Sequence, residues 1–163
     1  MSFVIRTAAE LLALDTDGRS QARRAARETP VATRILRAFL DEGGPIPVDE
    51  IDVAPVELAR LHDDDLIRIH EGWIDVAYPF SAASTSFLVG LPEGGHRYAC
   101  CATDALGFAP MIGTRVAISS RCHRSGAPLA FDVTPDGPEP DAASVMLWVG
   151  QRGDAPCRAI DGL

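Results

Sequence analysis

The sequence contains no lysine. All 15 of its basic side chains are arginine, set against 23 acidic ones for a net charge of -8. That balance leaves no basic face of the kind a general polyanion binder needs, so a nucleic-acid partner is not expected. The exclusive use of arginine reads as codon bias and carries little about function. No stretch approaches the roughly 18 apolar residues of a membrane span. The opening Met1-Ser2-Phe3-Val4-Ile5-Arg6 reaches Thr7 and Glu10 too soon for the apolar core of a secretory leader. No membrane segment is expected, and the cytoplasm is the expected compartment. Cysteine is scarce, with only Cys100, Cys101, Cys122 and Cys157, and these form no C-x-x-C knuckle. Reduced thiols are therefore expected over bridges. A zinc site from Cys101, Cys122, His123 and Cys157 stays open despite its irregular spacing, as does a disulfide. Internal repeats and low-complexity tracts are absent.

What is present is an ordinary globular composition, 47% apolar and 23% charged over 163 residues, enough for one compact domain or two small ones. Helices are expected at 4–14, with an Asp15-Thr16-Asp17-Gly18 stop, and at the basic, alanine-rich 19–27. Thr29-Pro30 opens a further helix carrying Val31, Ile35, Leu36, Phe39 and Leu40 at helical spacing, and Gly43-Gly44-Pro45 closes it. A short helix at 48–51 and another at 55–62 follow. Strands at 66–70 and 73–78 then flank a Glu71-Gly72 turn. Three helices and a hairpin make a winged-helix pattern over residues 1–78. Between Val48 and Asp65, however, Asp49, Glu50, Asp52, Glu57, Asp63, Asp64 and Asp65 outnumber the single Arg60, which would repel phosphates. A packing role is expected for this module.

From Tyr78 the texture changes to short strands broken by Pro and Gly, so residues 79–163 are expected to form a second, mainly antiparallel unit. Its strands are placed at 86–91, 96–99, 114–119, 129–134 and 144–149. The fold class expected is α+β, with a short helix carrying Cys101 and Asp104. Trp73 and Trp148 are expected to pack, Tyr98 to be a strand packing residue, and His123 to face solvent in a turn.

The chemistry converges on Tyr98-Ala99-Cys100-Cys101-Ala102-Thr103-Asp104. A helix starting after Cys101 sets Cys101 and Asp104 one turn apart on one face, a soft nucleophile beside a proton carrier. A helix N-terminus is expected to lower the thiol pKa, and Asp104 is placed to accept the thiol proton and pass it on. The plainer alternative makes Cys-Cys-Ala core filler and Asp104 a helix-start residue.

Several blocks resemble the organomercurial (alkylmercury) lyase family: Ala77-Tyr78-Pro79-Phe80-Ser81, the run from Tyr98 to Gly107, Ile112-Gly113-Thr114-Arg115-Val116, and Cys122-His123-Arg124-Ser125-Gly126-Ala127-Pro128. They occur in family order over residues 73–133, and the module before them is also similar to the family's N-terminal part. The resemblance implies cleavage of a carbon–mercury bond by protonolysis with two thiols, an aspartate and no added cofactor. It implies Cys101 as the first catalytic cysteine and Asp104 as the catalytic aspartate, and makes Cys122 structural. Cys157 is then the remaining candidate for the second catalytic thiol. Cys100 stands where the family carries a larger residue and offers a third sulfur for mercury beside Cys101 and Cys157. The segment that holds and covers the second cysteine is expected to be shortened or absent. The implied partners are an organomercurial substrate and cellular thiols or a mercury reductase receiving Hg(II). Two other readings stay open: a relative that binds mercury or another soft metal without turnover, and a metal-sensing winged-helix regulator.

Overall fold

Thr29 sets the start of the first well-defined helix, α1 (Pro30–Glu42). Its backbone is extended, its hydroxyl accepts the Ala32 N–H at 3.2 Å, and Pro30 occupies the first helical position, where no N–H is needed. Gly43 ends α1 in the left-handed region (φ +73°), returning its N–H to the Phe39 carbonyl at 3.0 Å. Ala32, Ile35 and Phe39 form the buried stripe. The computed structural model describes residues 28–147 together with residues 10, 25 and 26. The helices expected at 4–14 and 19–27 therefore fall almost wholly outside the described residues, as do Trp148 and Cys157.

After α1 the chain runs through β1 (Ile46–Pro47), α2 (Pro55–Asp63), β2 (Ile67–His70), β3 (Trp73–Ala77), β4 (Phe80–Ser81), β5 (Leu88–Gly90), β6 (His96–Ala99), α3 (Ala102–Ile112), β7 (Val116–Arg121), β8 (Pro128–Thr134) and β9 (Gly137–Pro138). Among the described residues the nine strands belong to one sheet of order β1-β3-β4-β6-β5-β7-β8-β9, with β2 also paired to β3, and these pairings are antiparallel. The β2–β3 turn places Glu71 (φ 50°) and Gly72 (φ 84°) in the left-handed region, which matches the twist of a tight hairpin. The position expected to separate two units lies inside this sheet, where Ala77 of β3 pairs with Phe80 of β4.

One face of the sheet is covered by helices. Strand residues Ala77, Phe80, Val89, Ala99, Ile118 and Val133 share a core with Ile35 and Phe39 of α1, Leu58 and Leu61 of α2, and Ala105 and Phe108 of α3. Phe80 lies at its centre, stacked on Phe39 (5.9 Å between centroids) and edge-on to Phe108 (4.8 Å). Burying each such ring is worth roughly 1.5–3 kcal/mol. Alternation sends Val76 and Cys100 to the opposite face, where they form a small cluster with Tyr78.

Three expectations differ from the structure. Residues 48–51 form turns, not a helix: the Glu50 N–H reaches only the Pro47 carbonyl at 3.2 Å, and the Val48 N–H is taken by Gly72. Four residues cannot offset the cost of helix nucleation. The described part of the expected last strand, residues 144–147, is turn and irregular chain that follows a 3-10 turn at Pro140–Ala142, and the edge beside β8 is occupied by β9. Trp73 remains 46% exposed. It lines an open, largely apolar hollow of about 620 Å³ with Pro47, Val48, Ile51 and Leu58.

Arg97 joins α1 to β6. Its guanidinium donates to the carbonyls of Phe39 (3.0 Å), Leu40 (2.8 Å) and Asp41 (3.0 Å) at the end of α1, where unpaired carbonyls and the negative pole of the helix favour a cation. A Cβ built on Gly43 would come within 2.7 Å of that guanidinium. Arg97→Met is expected to lower unfolding free energy by about 2 kcal/mol, and Gly43→Ala by about 1–2 kcal/mol, in urea melts. A loss below 0.5 kcal/mol in both would show that the joint contributes little.

Candidate active site

The candidate site is the junction of β6 and α3. Cys101 is the N-cap of α3, with extended backbone (φ -150°, ψ 176°), and Asp104 stands in the first turn. Sequence positions one turn apart thus become spatial neighbours: the Cys101 thiol donates to Asp104 Oδ2 at 3.0 Å, and the same sulfur accepts the Asp104 N–H at 3.5 Å. Cys and Asp stand at the N-cap and third helical positions that Ser and Glu fill in a capping box, but here the carboxylate takes its hydrogen bond from the N-cap thiol. The two side chains that start the helix are the two that the chemical reading needs, so this geometry accords with both readings. The Ala105 N–H to Cys101 carbonyl bond at 2.9 Å closes the first turn, and Ala105, Phe108 and Ala109 bury the helix against the sheet.

The electrostatics reverse one expectation. The Cys101 thiol is pushed up from its ordinary 9.0 to about 11, first by burial, then by the adjacent negative charge of Asp104 and the hydrogen bond to it. The N–H groups of Asp104 and Thr103 act in the opposite sense and do not prevail. The resting sulfur is therefore a thiol whose proton already points at a carboxylate.

Cys100 lies on the other side of the chain. It is 5% exposed, and its thiol donates to the Phe80 carbonyl at 3.1 Å while its N–H bonds the Pro79 carbonyl at 3.0 Å. Adjacent residues of an extended segment project to opposite sides, so the vicinal sulfurs do not face one pocket. Cys122 follows β7 at the start of the turn to β8, with its carbonyl accepting the Gly126 N–H at 2.8 Å. Its thiol is shifted down by hydrogen bonds from Ser125 and Arg124. Cys101 and Cys122 are free thiols. Among the described residues no group of three or more His, Cys, Asp or Glu is placed to hold a metal ion. His123 is exposed in its turn, and Tyr98 is half-buried with its ring edge-on to His96 at 5.6 Å. Phe80 is core, so its side chain offers no wall to an open pocket. Cys157 lies outside the described residues, and so does any approach it makes to Cys101.

Sequence reasoning passed over Thr85. Ser84-Thr85-Ser86 reads only as a polar connection, yet the Thr85 hydroxyl donates to the carbonyl of Ala99, fourteen residues on, at 2.6 Å. No local pattern announces so distant a contact.

A family model described as alkylmercury lyase matches residues 80–160, a stretch that contains the Cys101–Asp104 pair and all four cysteines. The chain belongs to the alkylmercury lyase family. It is 33% identical over 122 residues to the alkylmercury lyase of Staphylococcus epidermidis, covering 70% of this chain and 56% of that one. With the alkylmercury lyase of Bacillus cereus it shares 41% identity over 58 residues, 34% of this chain and 27% of the relative. The chain thus spans little more than half of the first relative's length and about a quarter of the second's. Among solved structures it is similar in fold to the mercury-bound form of MerB2, with a TM-score of 0.54 at 18% identity over 80% of this chain and 63% of that one. That likeness bears on the mixed helix and antiparallel-sheet architecture. Among the described residues no helix is long and apolar enough to cross a membrane.

The raised Cys101 thiol has a direct consequence. Asp104→Asn removes the negative charge that helps to hold it up, so its deprotonation moves to lower pH. Alkylation of Cys101 by iodoacetamide, followed by peptide mass spectrometry, is expected to quicken at neutral pH by about ten-fold for each pH unit of that fall. An unchanged or slower rate would mean that Asp104 does not hold the proton on sulfur.

Proposed function

We propose that this chain is an organomercurial lyase that cleaves carbon–mercury bonds by protonolysis, with Cys101 as nucleophile and mercury ligand and Asp104 as proton carrier. The observation that carries the reading is the 3.0 Å contact from the Cys101 thiol to Asp104 Oδ2. Mercury(II) is a soft ion and sulfur the softest donor a side chain offers, so an R–Hg cation is captured at Cys101 in preference to any oxygen or imidazole. As the sulfur–mercury bond forms, the S–H bond breaks and its proton passes to Asp104, leaving Cys101–S–Hg–R and a neutral carboxylic acid. A second thiol then bonds mercury, losing its own proton to solvent, and adds electron density to the metal and its carbon. Cys157 is assigned this role, since the Cys100 thiol is turned away to the Phe80 carbonyl. The carbon–mercury bonding pair takes the proton from Asp104, R–H departs, and the carboxylate is restored. Mercury(II) stays on two thiolates until a cellular thiol or a mercury reductase accepts it.

Capture of mercury displaces the thiol proton in a chelate and in a lyase alike, but only protonolysis uses that proton again, and Asp104 Oδ2 at 3.0 Å stands where it can be kept and returned. Nor does the N-terminal part favour a regulator. Arg60 of α2 leans on Asp64 (3.8 Å) among Glu57, Asp63 and Asp65, a surface that repels phosphate. We therefore read residues 1–78 as a winged-helix-like packing module, residues 79–163 as the catalytic unit, and the cytoplasm as the place of work.

The test is turnover in one vial: reduced protein, excess low-molecular-weight thiol and an arylmercury substrate, with release of the arene followed over time. More than one equivalent of arene is expected from the wild type. Cys101→Ser and Asp104→Ala are each expected to cut the rate at least 100-fold, and Cys157→Ser or Cys100→Ser identifies the second thiol. Stoichiometric retention of mercury with no arene would overturn the lyase reading.

A further inference from the structure

We propose that Thr85 is a positioning residue for Cys101, holding the end of β6 from the β5 side so that the thiol meets Asp104. The proposal rests on Cys101 and Asp104 being the reactive pair, and it concerns what keeps them in register.

The helix start does not do this alone. The cap is a thiol sulfur, a weak acceptor, 3.5 Å from the Asp104 N–H, so it holds Cys101 weakly. Restraint must come from the strand side, where two flanks grip the residues just ahead of Cys101. On the β4 flank, the Pro79 carbonyl takes the Cys100 N–H at 3.0 Å and the Phe80 carbonyl takes the Cys100 thiol at 3.1 Å. On the β5 flank regular pairing has ended, since Leu88 opposite Tyr98 is its last pair. There the chain from Thr85 to Phe87 takes over. The Phe87 carbonyl accepts the Ala99 N–H at 2.9 Å, and the Thr85 hydroxyl donates to the Ala99 carbonyl at 2.6 Å while accepting the Phe87 N–H at 3.1 Å. One side chain thus stands in for a ladder hydrogen bond where β5 departs from β6.

Ala99 is fully buried, so a carbonyl there that loses its hydroxyl partner must find another by moving the chain. Ala99 is two residues from Cys101, and its displacement carries the thiol away from Asp104. Threonine suits the position: its hydroxyl can donate forward and accept from Phe87, and its branched Cβ limits rotation. Misplacement of a reacting group by about 1 Å can cost two orders of magnitude in rate.

Thr85→Val keeps the shape and removes the hydroxyl, whereas Thr85→Ser keeps the hydroxyl. Each variant is checked for folding by a urea melt, with Thr85→Ala replacing the valine variant should that not fold. Two readouts follow: first-turnover arene release at saturating arylmercury substrate, and the pH profile of Cys101 alkylation by iodoacetamide. Thr85→Val is expected to slow arene release about ten-fold with substrate affinity unchanged, and to move the alkylation profile to lower pH as the sulfur leaves Asp104 and its cover. Thr85→Ser is expected to restore both to within about three-fold. A wild-type alkylation profile and rate in Thr85→Val, or equal impairment in Thr85→Ser, would overturn the proposal. Absence of arene from the wild type would instead overturn the lyase reading, and the alkylation profiles would still decide where Thr85 holds Cys101.

Discussion

The hydrogen bond from the Cys101 thiol to the Asp104 carboxylate is the constraint around which the rest of the structure is arranged. It is made by a helix start, where the N-cap residue and the third helical residue naturally meet, and it uses residue types that make a poor cap and a good proton pair. A sulfur at 3.5 Å from an amide contributes little to helix stability. The helix is held instead by Ala105, Phe108 and Ala109 in the core and by the left-handed Gly113 at its end. Packing at the far side of α3 thereby frees its first turn for chemistry.

The same division of labour extends outward. β6 carries the reactive segment and is gripped along its length: Arg97 ties it to the end of α1, Val89 and Phe80 flank it within the sheet, and Thr85 and Phe87 hold its final residue. Helix α1 is therefore linked to the strand that leads into the site through an arginine that donates to three backbone carbonyls. A cation in that place is favoured both by the helix pole and by the absence of a side chain on Gly43.

Much of this was legible in the chain. Thr29-Pro30 and Gly43 mark the ends of α1 because caps are local, each needing only a side-chain oxygen or a positive φ within one turn. The Glu71-Gly72 turn and the antiparallel pairing are legible for the same reason. The helix expected at 48–51 failed because a four-residue pattern looks alike in a turn and in a nascent helix, and here the Val48 N–H belongs to Gly72. The exposure of Trp73 was equally hidden, since a strand residue's face depends on which neighbours arrive to cover it.

By itself the sequence placed Cys101 and Asp104 one turn apart, since a spacing of three residues in a helix start leaves few other arrangements. The protonation of that pair was decided by tertiary structure. The helix N-terminus alone argues for a lowered thiol pKa, but burial against the sheet and a carboxylate 3.0 Å away outweigh it and hold the thiol at about 11. Tertiary structure also decided that neighbouring Cys100 turns into a separate cluster, and that a threonine fourteen residues upstream secures the strand. Those outcomes depend on desolvation and on contacts between segments distant in sequence, quantities that residue order does not carry.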